Sequence, residues 1–325
     1  ERHLQTFLAE QRQRSLEKAW SSVESQESGD SESCTWVVPA LQFATHGIAQ
    51  DEPLLSEIVS QLGGDSSKDS DAASGSIVLS SAYLNLTSSQ FKYSPLAEAL
   101  AAPGCSADVT LVLASDESHG FSGATGLSAY IPQGYALLRS RLQQYLESIR
   151  GASGRRTEVR LHRRLVDGKH WSFHCKALWY TEPVSAVGVD VLGSGTSSQD
   201  ATGAKVCGNA KAISPAGPGL TVVGSSNFGR RSMARDLEAQ FWLVRRKSLI
   251  LWCIFVSHSC TWADVFLTIT SYCDPLQVTD NDSLRLRLRK EQELILRHTE
   301  GPVPASERQP CWRVRLLTFC FLRFL

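Results

Sequence analysis

Between Thr35 and Val244 the chain keeps repeating one arrangement: a short apolar run, a turn, then a longer stretch with helical spacing. Alternation of this kind restricts the fold to layered α/β architectures, because each strand and each helix has an apolar face that only another layer can cover. Trp36 to Leu41 reads as a strand, Pro53 to Leu62 as a helix with proline in its first turn, and Ser76 to Tyr83 as a strand. Leu96 to Ala102 continues a helix, Val109 to Ala114 is a strand of the buried type, and Tyr135 to Ile149 is a long amphipathic helix. Strands at 159–165, 171–180, 220–224 and 237–244 follow, and a helix is expected over 284–297. The expected fold class is α/β, a mixed and mostly buried sheet flanked by helices.

This lobe is expected to occupy residues 34–325. Residues 1–33 read as an amphipathic helix at 3–20, carrying Leu4, Phe7, Leu8, Leu16 and Trp20, followed by a Ser/Glu linker. Gly63 to Gly75 reads as a loop. Two insertions interrupt the lobe. Residues 184–219 are dense in Gly, Ser, Ala and Pro, the composition of a disordered surface insertion. Residues 245–277 hold the run Leu249 to Val256 and then Val265 to Ile269, nearly long enough for a membrane span but broken by Asp264 and by Ser, His and Thr. That segment reads instead as a retained intron translated in frame.

Of 325 residues, 42% are hydrophobic and 20% charged, which fits an enzyme-sized soluble core. Thirty-three basic residues balance thirty-three acidic ones, so no nucleic-acid partner is expected from overall charge. Nine scattered cysteines, with no CxxC pair, read as free thiols of a reducing compartment. The first twenty residues are charged, without the apolar segment of a signal peptide, and no methionine begins the chain, so it reads as truncated at its N-terminus.

Strand periodicity puts His174, Lys176 and Leu178 on one face, with Phe173, Cys175, Ala177 and Trp179 on the other. An imidazole titrating near pH 6.5 can attack phosphorus or move a proton at a leaving oxygen. A lysine two positions on supplies fixed positive charge for phosphoryl oxygens. Neither role calls for a metal or another cofactor. Gly224-Ser225-Ser226-Asn227 closes an apolar strand with small residues, so its backbone N–H groups and the Asn227 amide can approach a phosphate. Glu238, on the next strand, is expected to hydrogen bond the His174 ring and set its tautomer. Taken singly these are ordinary turn and surface features; in this order, each at a strand end, they point to a phosphate-ester transfer site.

In this arrangement the chain resembles one half of a phospholipase D superfamily enzyme, whose members carry HxKxxxxD, then GSxN and a downstream Glu, in each of two lobes. Within that superfamily it resembles the eukaryotic phosphatidylglycerophosphate synthases, through Phe173-His174, Lys176 and Leu178-Trp179, through Gly224 to Ser232, and through Arg235 to Gln240. The likeness extends upstream through Ala82 to Thr87, Leu113 to Ser115, Gly120 to Ala124 and Ile131-Pro132. The resemblance implies a phospholipase D-like lobe that transfers a phosphatidyl group from CDP-diacylglycerol to glycerol 3-phosphate through a phosphohistidine, beside the mitochondrial inner membrane. It implies His174, Lys176, Asn227 and Glu238 as catalytic residues and Ser225 as substrate-binding, with Arg231 or Arg235 meeting the acceptor's phosphate. It also implies a membrane surface as partner, for which the run 316–322 with Arg313, Arg315 and Arg323 is a candidate; the same run also reads as a terminal element packed on the core. Two departures stand out. The aspartate of the superfamily pattern is Thr181, and no second HxK motif occurs, so the partner expected is a missing N-terminal lobe or a second chain. An inactive half-enzyme and a single-motif phosphodiesterase or nuclease acting as a dimer are the alternatives.

Overall fold

The strands Ser76–Ser81 and Lys176–Thr181 carry almost no polar alternation because both of their faces are covered. In the computed structural model, which describes residues 35–49, 51–62, 74–87, 92–163, 165–166, 169–183, 217–245, 276–278, 281–304 and 311–321, the elements run as follows. The first part of the chain forms β1 (Thr35–Phe43), β2 (Ile48–Ala49), α1 (Asp51–Gln61), β3 (Ser76–Ser81), α2 (Pro95–Ala101), β4 (Asp108–Ala114) and α3 (Ile131–Arg150). Then come β5 (Thr157–His162), the small hairpin β6 (Leu165–Val166) and β7 (Lys169–His170), β8 (Lys176–Thr181), β9 (Leu220–Gly224), α4 (Arg230–Ala234) and β10 (Glu238–Arg245). The last elements are β11 (Leu276–Val278), α5 (Asn281–Arg297), β12 (Thr299–Glu300) and α6 (Trp312–Phe321). The expected helix at 3–20, the linker after it, and most of the stretches 63–75, 184–219 and 245–277 lie outside the described residues.

The main sheet has the order β11-β1-β10-β9-β8-β3-β4-β5-β12, with β2 paired to β1. β3, β4 and β5 are parallel, and β8, β9, β10 and β1 alternate in direction, so the sheet is mixed as expected. One face carries α1, α2 and α3: Leu54, Leu55, Ile58, Leu96, Leu100, Leu142 and Leu146 enclose Ile77, Leu79, Leu111, Leu178, Val222 and Trp242. The opposite face of β3, β4 and β8 presents Val78, Val112, Ala177 and Trp179 against Ile295 and Leu296 of α5. At about 25 cal/mol per Å² of apolar surface, the fully buried leucines and isoleucines each stabilise the lobe by roughly 1.5–3 kcal/mol. β10 is covered on one face only, so it alternates: Glu238, Gln240, Trp242 and Val244 are buried, while Ala239 and Phe241 are exposed.

Local signals account for the helix starts. Ser94 caps α2, its hydroxyl accepting the Ala97 N–H at 3.4 Å, and Pro95 occupies the first turn, where its missing N–H costs nothing. α3 begins at Ile131, four residues earlier than periodicity suggests, because Pro132 serves the same purpose there. The expected strand 171–180 is shorter at its start. Residues 171–175 lie outside the ladder because the Phe173 N–H donates to Ser118 O at 2.8 Å instead of to a neighbouring strand. The apolar C-terminal run is a helix, α6, that buries Val314 and Thr318 and leaves Trp312, Leu316 and Phe319 exposed. Among the described residues no helix is long and apolar enough to cross a membrane, and cysteines 105, 175, 311 and 320 are free thiols.

Candidate active site

Antiparallel pairing decides where the motif residues meet. β8 starts at Lys176, β9 ends at Gly224 and β10 starts at Glu238; with Ala177 paired to Val223 and Gln240 to Gly224, those three termini lie at one end of the sheet. The carboxyl end of β3 joins them, Ser81 standing opposite Lys176. His174, Lys176, Ser225, Asn227 and Glu238 are thus gathered on one edge, as their strand-end positions predict.

Phe173 anchors the histidine. Its ring is buried and stacks on His162 with centroids 4.6 Å apart, while Cys175 turns inward beside it. His174 is left exposed between these two anchors. Lys176 Nζ lies 3.0 Å from His174 Nδ1 and 3.3 Å from Nε2. Partial burial and then the Lys176 charge hold the imidazole below its ordinary pKa, so it is neutral at physiological pH. Burial also lowers the Lys176 pKa, and the Glu238 carboxylate pulls it back up. The charge pattern is a neutral imidazole beside an ammonium, with a carboxylate behind.

Glu238 corrects one expectation. Its carboxylate accepts the Ser225 hydroxyl at 2.5 Å and makes no hydrogen bond to His174. Ser225 in turn accepts the Ala239 N–H at 3.0 Å, and its own N–H donates to Ala239 O at 3.0 Å. The acid therefore fixes the GSSN turn and biases the lysine; it does not set the histidine's tautomer. The close approach requires glycine at 224, where an added Cβ would sit 2.2 Å from Ala239 O.

Asn227 is held by its backbone. Its carbonyl accepts the Ser81 hydroxyl at 2.8 Å and its N–H donates to Ser232 Oγ at 3.1 Å. The side-chain Oδ1 is buried without a partner. Phe228 follows in the left-handed region at φ 55°, a strained conformation for a bulky residue, maintained by complete burial of its ring. Arg230 N–H then donates to Asn85 O at 2.9 Å, so the turn rests on the 82–87 segment. Arg231 is exposed and paired with Asp236 at 3.0 Å; Arg235 is exposed at the end of α4.

Thr181 explains a departure from the superfamily pattern. It lies buried at the far end of β8, five residue steps or roughly 16 Å from Lys176 at the rise of an extended strand. A side chain there does not touch His174, so the absence of aspartate removes no group from the site.

Three residues join the site that motif spacing did not single out. The Tyr83 ring stands edge-on to His174 at 5.8 Å and to His119 at 4.8 Å, and Tyr135 lies 5.7 Å from Tyr83. The Gly120 backbone hydrogen bonds the Tyr83 phenol, in a contact so close that a Cβ at 120 would lie 2.2 Å from the hydroxyl. The available signal was the polar, glycine-rich stretch Ser115 to Gly126 directly after a buried strand, a position where loops carry function.

A histidine and a lysine two residues apart at one strand start thus stand at the same end of the sheet as a Ser-x-Asn turn fixed by a glutamate. No family profile matches the chain. Among curated proteins, it is similar to the mitochondrial CDP-diacylglycerol–glycerol-3-phosphate 3-phosphatidyltransferase of Gallus gallus, with 29% identity over 242 residues, 74% of this chain and 34% of that protein. The Homo sapiens protein of the same name is 25% identical over 282 residues, 87% of this chain and 35% of that one. A probable CDP-diacylglycerol–glycerol-3-phosphate 3-phosphatidyltransferase of Dictyostelium discoideum is 24% identical over 263 residues, 81% of this chain and 34% of that one. The chain thus spans about a third of the length of these relatives. Among solved structures, the phosphatidylserine synthase of Haemophilus influenzae superposes with a TM-score of 0.47 at 12% identity, over 89% of this chain and 46% of that one. The Salmonella typhimurium phospholipase D family member Nuc superposes with a TM-score of 0.30 at 13% identity, over 71% of this chain and 94% of that one.

Proposed function

We propose that this lobe supplies one half of the active site of a CDP-diacylglycerol:glycerol-3-phosphate 3-phosphatidyltransferase, forming phosphatidylglycerophosphate and CMP beside the mitochondrial inner membrane. The observation that carries the reading is the meeting of His174, Lys176, Ser225, Asn227 and Glu238 at one sheet edge, in a chain similar to enzymes of that name. A histidine from a second lobe or a second chain attacks the phosphorus that bears the diacylglycerol. The P–O bond to CMP breaks and a phosphohistidine forms. The glycerol 3-phosphate hydroxyl then attacks that phosphorus, the P–N bond breaks, and neutral His174 takes the hydroxyl proton. Its lowered pKa suits it to a base role at physiological pH. Lys176 and the Asn227 amide hold the phosphoryl oxygens in both steps, where charge accumulates in the transition state.

The test measures CMP release from CDP-diacylglycerol in mixed vesicles, with and without glycerol 3-phosphate, by a protein carrying both halves, beside hydrolysis of single-stranded DNA. Acceptor-dependent CMP release abolished by His174→Ala is expected. DNA cleavage without CMP release would replace this reading by that of a single-motif phosphodiesterase, and neither activity would leave an inactive half-enzyme.

A further inference from the structure

At the carboxyl ends of β3 and β4, where parallel strands leave a crevice, lies an open cleft whose enclosed part measures about 20 Å³. Its polar wall is Asp116, His119, Tyr135 and Arg139; Leu113 and Pro132 contribute to the apolar one. His119 is only 3% exposed, and its Nδ1 accepts the Phe121 N–H at 3.2 Å. Burial holds this imidazole well below its ordinary pKa, at about 4, so at neutral pH the single ring proton resides on Nε2. That Nε2–H is buried and has no hydrogen-bond partner. A buried donor left unpaired is costly, and ligand binding is one way a fold supplies the missing acceptor. Tyr83 stands between the cleft and the half-site, packing edge-on to both His119 and His174, and Tyr135 lies within electrostatic reach of Arg231 and Asp236.

We infer that this cleft is the acceptor subsite and binds a small phosphorylated polyol, its phosphate at Arg139 and one of its oxygens on the His119 Nε2–H. The assignment rests on the transferase reading above and names where its second substrate sits. A guanidinium matches a phosphate, Asp116 accepts from hydroxyls, and a neutral imidazole donates to an oxygen without adding charge. The apolar wall matches a short carbon chain.

Titrating the full chain, labelled with ¹⁵N at histidine, with glycerol 3-phosphate tests the inference by NMR and calorimetry, and His119→Gln assigns the resonance. Expected are an Nε2–H tautomer for free His119, a saturable shift of that nitrogen on addition of glycerol 3-phosphate, and affinity at least tenfold weaker in Arg139→Met, with circular dichroism showing that the variant is folded. No binding, undiminished binding by Arg139→Met, or binding that leaves His119 unmoved overturns it. Equal affinity for inorganic phosphate overturns the polyol assignment, and weakened cytidine diphosphate binding with intact glycerol 3-phosphate binding assigns the cleft to the donor instead. The readout needs no turnover: saturable, Arg139-dependent binding without CMP release would leave the subsite standing and overturn the transferase.

Discussion

Asp51→Asn is expected to shift the stability balance toward the variant by an amount that grows with pH. Asp51 opens α1 and is completely buried beneath β10. Its carboxylate accepts the Gln240 amide and lies beside the Trp242 indole N–H, and its own N–H donates to Gln42 Oε1 at 3.2 Å. Burial raises its pKa from 3.8 to about 7, against the lowering effect of Gln240. In the unfolded chain the same group ionises near its ordinary value. Between those two values the folded state holds one proton more than the unfolded state, so unfolding free energy falls by about 1.4 kcal/mol per pH unit. Stability from this group is complete below about pH 4, falls as pH rises to about 7, and is flat above that. The whole change is about 4 kcal/mol, of which about 2–3 kcal/mol lies between pH 5 and pH 8. Asparagine keeps the shape and the acceptor for Gln240 but does not ionise. Urea denaturation of both proteins at pH 5, 6, 7 and 8 should therefore give a stability difference that increases by about 2–3 kcal/mol in favour of asparagine. The absolute offset depends on how the new amide N–H groups are satisfied; the slope does not. A difference that stays constant from pH 5 to pH 8 would refute the reasoning.

His174 should titrate below 6.5 in an NMR pH series, and Lys176→Met should move that value upward, though only in part, because burial is the larger cause; an unmoved titration would remove the proposed coupling. In a protein with both halves, His174→Ala and Lys176→Ala should each lower CMP release by about 10²–10⁴-fold with unchanged circular dichroism, and wild-type turnover in either would dismiss the site. Gly224→Ala should cost about 1–3 kcal/mol in thermal or urea unfolding, because its Cβ would meet the Ala239 carbonyl; a neutral effect would show that β9 and β10 separate easily. Arg150→Met should destabilise by about 3 kcal/mol or more: the guanidinium donates to Leu100 O at 2.6 Å, in the last turn of α2, and to Cys105 O at 3.2 Å and Ala107 O in the connection to β4. Unfolding at an unchanged urea midpoint would contradict that accounting.

The alternating pattern made most strands and helices legible, including the buried character of β4 and the start of α2 at Pro95, because these follow from periods of 2 and 3.6 and from proline's missing donor. The His174/Lys176 pair was legible for the same reason. Trp171 to Cys175 was read one element too far: composition favours a strand there, but the Phe173 N–H is taken by Ser118, 55 residues away in the chain. Glu238 was placed correctly and given the wrong partner. Its phase on β10 aims it at the site, yet whether it reaches an imidazole or a hydroxyl depends on how closely Gly224 lets β9 approach.

Residue spacing along the chain was thus enough to establish an α/β lobe, and to mark a candidate motif and the strand ends on which its members lie, since each of these is set by neighbours a few positions apart. Pairing order made those ends one site: β8, β9 and β10 run antiparallel, so 174, 225–227 and 238 converge, while Thr181 is carried to the far edge. The Tyr83, His119 and Tyr135 cluster beside it had no local signature beyond the glycine-rich stretch Ser115 to Gly126 that holds His119. It exists because β3, the loop after β4 and the first turns of α3 pack against one another, and contacts between such distant segments are decided by the burial of the shared core.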